Sequence, residues 1–117
     1  MYKESLRSQR VADVVFRKLA SLFQHKITDQ RLQQVYISYV DVSPDLKNAR
    51  VYYSVFKDQV ISDDVEKGLI KAAHFLRKEL ARESVIRTVP KLNFVFDKTL
   101  QRAQRLDDLL TEELSNS

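Results

Sequence analysis

Five side chains, Lys67, Lys71, His74, Lys78 and Arg82, follow one another at spacings of 4, 3, 4 and 4 residues. At about 3.6 residues per turn, this spacing keeps them on one narrow ridge of a helix. No acid stands at any of the five positions. A row of cations of this kind suits polyanion binding, because each phosphate contact releases counterions. The alternative is an ordinary solvated helix face, since lysine is common on exposed helical surfaces. His74 lies inside the row. The apolar stripe of the same segment is Val65, Leu69, Ala72, Ala73, Leu76 and Leu80, on the opposite side. Phe75 falls off that stripe, so either it is a partly exposed aromatic or the helix changes phase near His74.

Enzymatic chemistry has little to stand on. Cysteine is absent, which removes disulfides, thiolate metal sites and cysteine nucleophiles. His25 and His74 are the two histidines, and they sit on separate elements without zinc-motif spacing. The single glycine, Gly68, cannot build a phosphate-cradling loop. Asp63 and Asp64 are better placed to favour a helix start than to hold a cation. Asp107 and Asp108 read as a solvated helix face. The expectation is a non-enzyme with no metal, cofactor or small-molecule substrate.

The net charge is +4, from 20 basic and 16 acidic residues. Four of the acids, Asp107, Asp108, Glu112 and Glu113, lie beyond the last basic residue, Arg105, so residues 1–105 carry 20 basic against 12 acidic side chains, or +8. A basic body with a short acidic tail points towards a polyanion partner, although many basic domains bind no nucleic acid. No apolar run approaches the roughly 20 residues of a membrane helix. The start, MYKESLRSQR, lacks the apolar segment of a signal peptide. A soluble cytoplasmic monomer is expected.

The elements that must position these residues are legible. Residues 5–25 read as a helix through Val11, Val15, Leu19 and Leu22, with Val14 beside them. Arg10 and Arg17 lie on its polar side and Arg7 borders it; Asp13, four residues before Arg17, offers that arginine a local partner. Residues 34–43 and 49–56 are β-branched and aromatic. The segment SPDLKN between them supplies a hairpin turn, with Pro44 setting its backbone angle and Asp45 and Asn48 tolerating tight conformations. A second helix starts near Ser62 or Asp63, with capping-box spacing from Asp63 to Glu66, and runs to about Arg82. A third strand, KLNFVFD, follows Pro90, with Leu92, Phe94 and Phe96 on one face. Residues 99–114 form an amphipathic helix through Leu100, Ala103, Leu106, Leu110 and Leu114. The order α-β-β-α-β plus a terminal helix predicts an α+β sandwich with helices covering one face of a three-stranded sheet. The expected division is 1–98 as the body and 99–117 as helix and acidic tail.

Four short segments carry a family resemblance: Arg10-Val11-Ala12, Asp29-Gln30-Arg31-Leu32, Val42-Ser43-Pro44-Asp45-Leu46 with Ala49-Arg50-Val51-Tyr52, and Arg87-Thr88-Val89-Pro90-Lys91-Leu92 with Phe94 and Asp97. In this order and spacing the chain resembles the ribosome-binding factor A family, over nearly all of residues 5–110. The second segment departs from the family's Asp-Pro-Arg-Leu by a glutamine. The resemblance implies a type II KH-like fold without the Gly-x-x-Gly clamp of ordinary KH modules. It also implies a kink in the second helix, where the family has Ala-x-Gly and this chain has Ala72-Ala73-His74. Without glycine, a softer kink or a nearly continuous helix is expected, because a left-handed residue there costs of order 1 kcal/mol.

By the same resemblance the chain is expected to bind the free small ribosomal subunit and its 16S rRNA. It would assist late maturation of that RNA, contribute to cold adaptation and leave before translation begins. The candidate RNA-binding residues are Arg10, Arg17, Arg31, Lys67, Lys71, His74, Arg77, Lys78, Arg82, Arg87 and Lys91. For His74, a neutral spacer and a direct phosphate contact both remain open. The competing expectation is a protein-interaction module, using a sheet edge or the terminal helix, whose basic surface only keeps it soluble.

Overall fold

The computed structural model describes residues 5–56 and 63–99. Helix α1 spans Leu6–His25 and a short 3-10 turn spans Gln30–Leu32. Strands β1 (Val35–Val42) and β2 (Asn48–Val55) follow, then helix α2 (Asp63–Leu80) and strand β3 (Lys91–Phe96). β1 and β2 pair antiparallel, β2 and β3 pair parallel, and β2 lies in the middle. The α+β order matches the expected type II KH-like arrangement. The amphipathic helix and acidic tail expected after residue 99, and the Ser62 cap, lie outside the described residues.

Each helix forms for reasons visible in its ends and its stripe. Ser5 caps α1: its hydroxyl accepts from the Ser8 N–H at 3.1 Å, and the Ser8 hydroxyl accepts from the Ser5 N–H at 3.0 Å. α1 then buries Val11, Val15, Leu19, Leu22 and Phe23, packing chiefly on β1. α2 carries Asp63, Asp64 and Glu66 in its first turn, where acids favour the positive end of the helix dipole. It buries Val65, Leu69, Leu76 and Leu80. Leu19, Leu32, Leu76 and Leu80 are among the largest fully buried side chains. Each such leucine contributes about 1.5–3 kcal/mol relative to exposure. Leu92, Phe94 and Phe96 pack against the same core from β3.

α2 is one uninterrupted helix through Ala72, Ala73 and His74, and His74 has no positive φ. This is the nearly continuous form expected where histidine replaces glycine. Phe75 accordingly stays off the buried stripe and is 37% exposed.

Two local irregularities were not foreseen. β1 shifts register between Ile37 and Tyr39, leaving Ser38 as the extra residue. The bulge explains why buried positions in β1 jump from Ile37 to Val40. The Ser38 hydroxyl lies 2.9 Å from the Asp97 carboxylate and 3.2 Å from the Tyr52 carbonyl, so the bulge also fastens the end of β3. In the hairpin turn the left-handed conformation falls on Leu46, with φ of 63°, and not on Asp45 or Asn48. Asp45 has another task. Its carboxylate accepts from the Ser43 hydroxyl at 2.6 Å and from the Lys47 N–H at 3.0 Å, and these bonds hold its pKa below the ordinary value.

Candidate nucleic-acid interface

α2 presents Lys67, Lys71, His74 and Lys78 along its outer surface, all exposed. Over a regular helix these four fall within about 60° of arc. Among the described residues no carboxylate lies within salt-bridge distance of Lys67, Lys71 or Lys78. Among the described residues their charge is therefore not paired. Ile70, 76% exposed, borders the ridge on one side and Phe75 borders it on the other. A basic row edged by an aromatic and a branched apolar side chain can hold phosphates and also stack or cover an unpaired base. Ile70 was missed in the sequence, although its place beside Leu69, off the buried stripe, is the signal that finds it.

The other candidates divide by what they already do. Arg82 lies past the end of α2, largely exposed, with its guanidinium 4.0 Å from Glu79. Arg77 is exposed but donates to the Val89 carbonyl at 3.4 Å, linking α2 to the segment that enters β3. Arg17 donates its Nε–H to the Asp13 backbone carbonyl at 3.4 Å, a bond within α1 to the residue whose side chain had been its expected partner. Lys91 is exposed at the start of β3, while its N–H donates to the Lys47 carbonyl. Arg10 and Arg87 are exposed and both line one open depression, to which no ridge residue contributes.

Arg31 is committed locally. It forks onto Asp29, with Nη2 2.7 Å from Oδ2 and Nε 3.0 Å from Oδ1. Asp29 also accepts the Arg31 N–H at 3.0 Å and so caps the 3-10 turn. The Arg31 side-chain bonds, then its backbone N–H, and more weakly the nearby charge of Lys71, lower the Asp29 pKa from 3.8 to about 2. The turn drives Leu32 into the core against Gly68 on α2. A Cβ on Gly68 would stand 3.0 Å from Leu32 Cδ2 and 3.1 Å from Leu32 Cγ. Gly68 thus serves close packing of the turn beneath the ridge, not a phosphate loop. Among the described residues no helix is long and apolar enough to cross a membrane.

Comparison with known proteins agrees with this architecture. The chain is 43% identical over 110 residues to the ribosome-binding factor A of Coxiella burnetii (strain CbuG_Q212), an overlap covering 94% of this chain and 92% of that protein. It is 38% identical to the ribosome-binding factor A of Nitrosomonas eutropha over the full length of both chains. The crystal structure of ribosome-binding factor A from Thermus thermophilus superposes with a TM-score of 0.67 at 25% identity, covering 79% of this chain and 97% of that one. A homology model of the Thermus thermophilus factor, fitted into a cryo-EM map of its complex with the 30S subunit, superposes with a TM-score of 0.61 at 27% identity, covering 82% of this chain and 96% of that one. The sequence model of ribosome-binding factor A matches residues 7–110, and with relatives of this identity and coverage the chain belongs to the ribosome-binding factor A family.

Proposed function

We propose that this chain is a non-enzymatic assembly factor that binds the free small ribosomal subunit through its rRNA and assists late maturation of the 16S rRNA. It acts as a cytoplasmic monomer, without cofactor or small-molecule substrate. Residues 1–98 form its RNA-binding unit. The observation that carries this reading is the α2 ridge, where three lysines and His74 are exposed with no salt-bridged carboxylate among the described residues. Family membership and the relative fitted into a 30S complex support it. Lys67, Lys71 and Lys78 contact phosphates as point charges, Arg82 extends the row, and Arg77 flanks it on the side of Ile70. Contacts of this type position the protein on the RNA and read shape more than base sequence.

Co-sedimentation with purified small subunits across a salt series tests the proposal. Binding weakens with a log–log slope of roughly −0.7 to −0.9 per phosphate neutralised. The double variant Lys71→Glu with Lys78→Glu stays folded and no longer sediments with the subunit. Unchanged binding by that folded variant would remove the ridge from the interface. Binding insensitive to salt would favour contact through apolar protein surface instead.

A further inference from the structure

We propose that the depression between the start of α1 and residues 84–87 is a second phosphate site, which takes one nucleotide of single-stranded RNA. The proposal rests on the RNA-binding reading above and adds a site that the α2 ridge does not include. The depression has a volume of about 530 Å³ and is lined by Arg7, Arg10 and Val11 from α1 and by Ser84, Val85 and Arg87 from the far side.

Three arginines line this depression, two from α1 and one from a segment far away in sequence. Arg7 and Arg10 are three residues apart on α1 and share one helix face. The segment that carries Arg87 is anchored by its neighbour Ile86, which is buried, and by Pro90, which is fully buried. The Lys18–Glu83 ion pair, 3.6 Å long, ties the start of this segment to α1. Like charges facing one open depression raise its positive potential and so attract an anion. Among the described residues no carboxylate is salt-bridged to Arg7, Arg10 or Arg87. A phosphate fits such a lining, because the planar fork of arginine matches phosphate oxygens. The α1 terminus itself is not the attraction, because Ser5 and Ser8 already cap it.

Size and lining narrow the ligand further. The volume falls within the ~300–1,000 Å³ typical of sites for small organic groups. Half-exposed Val85, with the small exposed edge of Val11, offers an apolar surface for a sugar or a base, and Ser84 adds a hydroxyl. Arginines for phosphate beside an apolar surface fit a nucleotide better than a bare anion. A nucleotide must leave the helical stack to enter, which selects single-stranded RNA over duplex.

The test uses the full chain and three probes: a short mixed-sequence single-stranded RNA, the same sequence as a duplex, and inorganic phosphate. The single strand should move the Nε–Hε NMR signals of Arg7, Arg10 and Arg87. Arg10→Ala with Arg87→Ala should weaken its binding by about tenfold or more, since each arginine makes charge-assisted bonds. Arg10→Lys with Arg87→Lys, which keeps the charge, should lose less; full retention by both folded pairs would overturn the site. If the arginine signals stay still and affinity is unchanged while the protein still sediments with small subunits, this inference falls and the assembly-factor reading stands. If inorganic phosphate moves the signals as far as RNA does and the variants bind RNA normally, the depression is an anion site only and the nucleotide is ruled out. If single-stranded RNA engages the arginines but small subunits do not bind, the depression is upheld and the assembly-factor reading falls.

Discussion

The outer surface of α2 and the corner beneath its first turns both carry basic side chains and use them oppositely. In the corner, Arg31 is bonded to Asp29 and helps fix the turn that presses Leu32 onto Gly68. On the outer surface, Lys67, Lys71 and Lys78 reach no described carboxylate. Charge neutralised at short range shapes the fold, and charge left over is available to a partner. Variants in the corner should therefore change stability with little direct effect on RNA contact. Variants on the ridge should change RNA contact and leave stability within about 0.5 kcal/mol.

Leu32→Ala gives the largest effect. Leu32 is fully buried, so truncation should destabilise the protein by about 2–5 kcal/mol, read as a lower urea midpoint. At temperatures where the variant remains folded, binding to small subunits should match the parent. A loss of binding by fully folded Leu32→Ala would break the separation between corner and ridge, and show that the turn sets the height of α2 on the RNA.

Gly68→Ala sharpens the same point with a smaller effect. In an open helix, alanine gains about 1 kcal/mol over glycine. Here its methyl would stand 3.0 Å from Leu32 Cδ2, and Leu32 has little room to yield. Overpacking costs about 1–3 kcal/mol, so the net expectation is destabilisation by about 1 kcal/mol. A stabilised variant would mean that the turn moves aside easily, and that the corner is softer than its packing implies.

The sequence carried the order of the described elements, the leucine and valine positions of both buried stripes and the place of Phe75 off the stripe, because these follow from periodicity. Ala72 and Ala73, expected on the stripe, are only partly buried, and the exposure of Phe75 was one of two open alternatives. The position of Val65, Leu69, Leu76 and Leu80 on one side of a helix already places Lys67, Lys71 and Lys78 on the other. What it did not carry depends on pairing in space. Arg31 looked like any other candidate cation, and its fork with Asp29 is a property of turn geometry that residue counts do not contain. Arg7 seemed peripheral until the fold set it with Arg10 beside Arg87, nearly eighty positions away. The bulge at Ser38 hides behind an almost regular β-branched run, since one extra residue changes alternation only locally.

The Asp29–Arg31 fork is exposed enough that its contribution is smaller than either core change, but its pH dependence has a definite sign. Asp29 falls from 3.8 to about 2 because the folded chain stabilises its ionised form. That stabilisation is complete above pH 3.8 and is lost as pH drops towards about 2. A carboxyl NMR titration should find Asp29 half-protonated near its lowered value. Asp29→Asn should flatten the acid limb of stability in that window. An Asp29 that titrates at its ordinary value would show the fork to be open in solution.

The smallest expected effect inverts the logic of Gly68. There, glycine occupies a regular helical position where a Cβ would crowd Leu32; at Leu46, a leucine occupies a backbone conformation that suits glycine. Leu46→Gly removes a strain of about 1 kcal/mol. It also frees the unfolded chain by about 0.5–1 kcal/mol. The leucine side chain packs partly against the core, and that contact is lost as well. The net change should be a modest destabilisation of about 0.5–1 kcal/mol, with the turn retained through the Ser43–Asp45 bond. A clear gain in stability would mean that the core contact of Leu46 is worth less than its strain. Hairpin geometry would then be set by Ser43 and Asp45 alone, as local and self-sufficient as the Asp29–Arg31 corner.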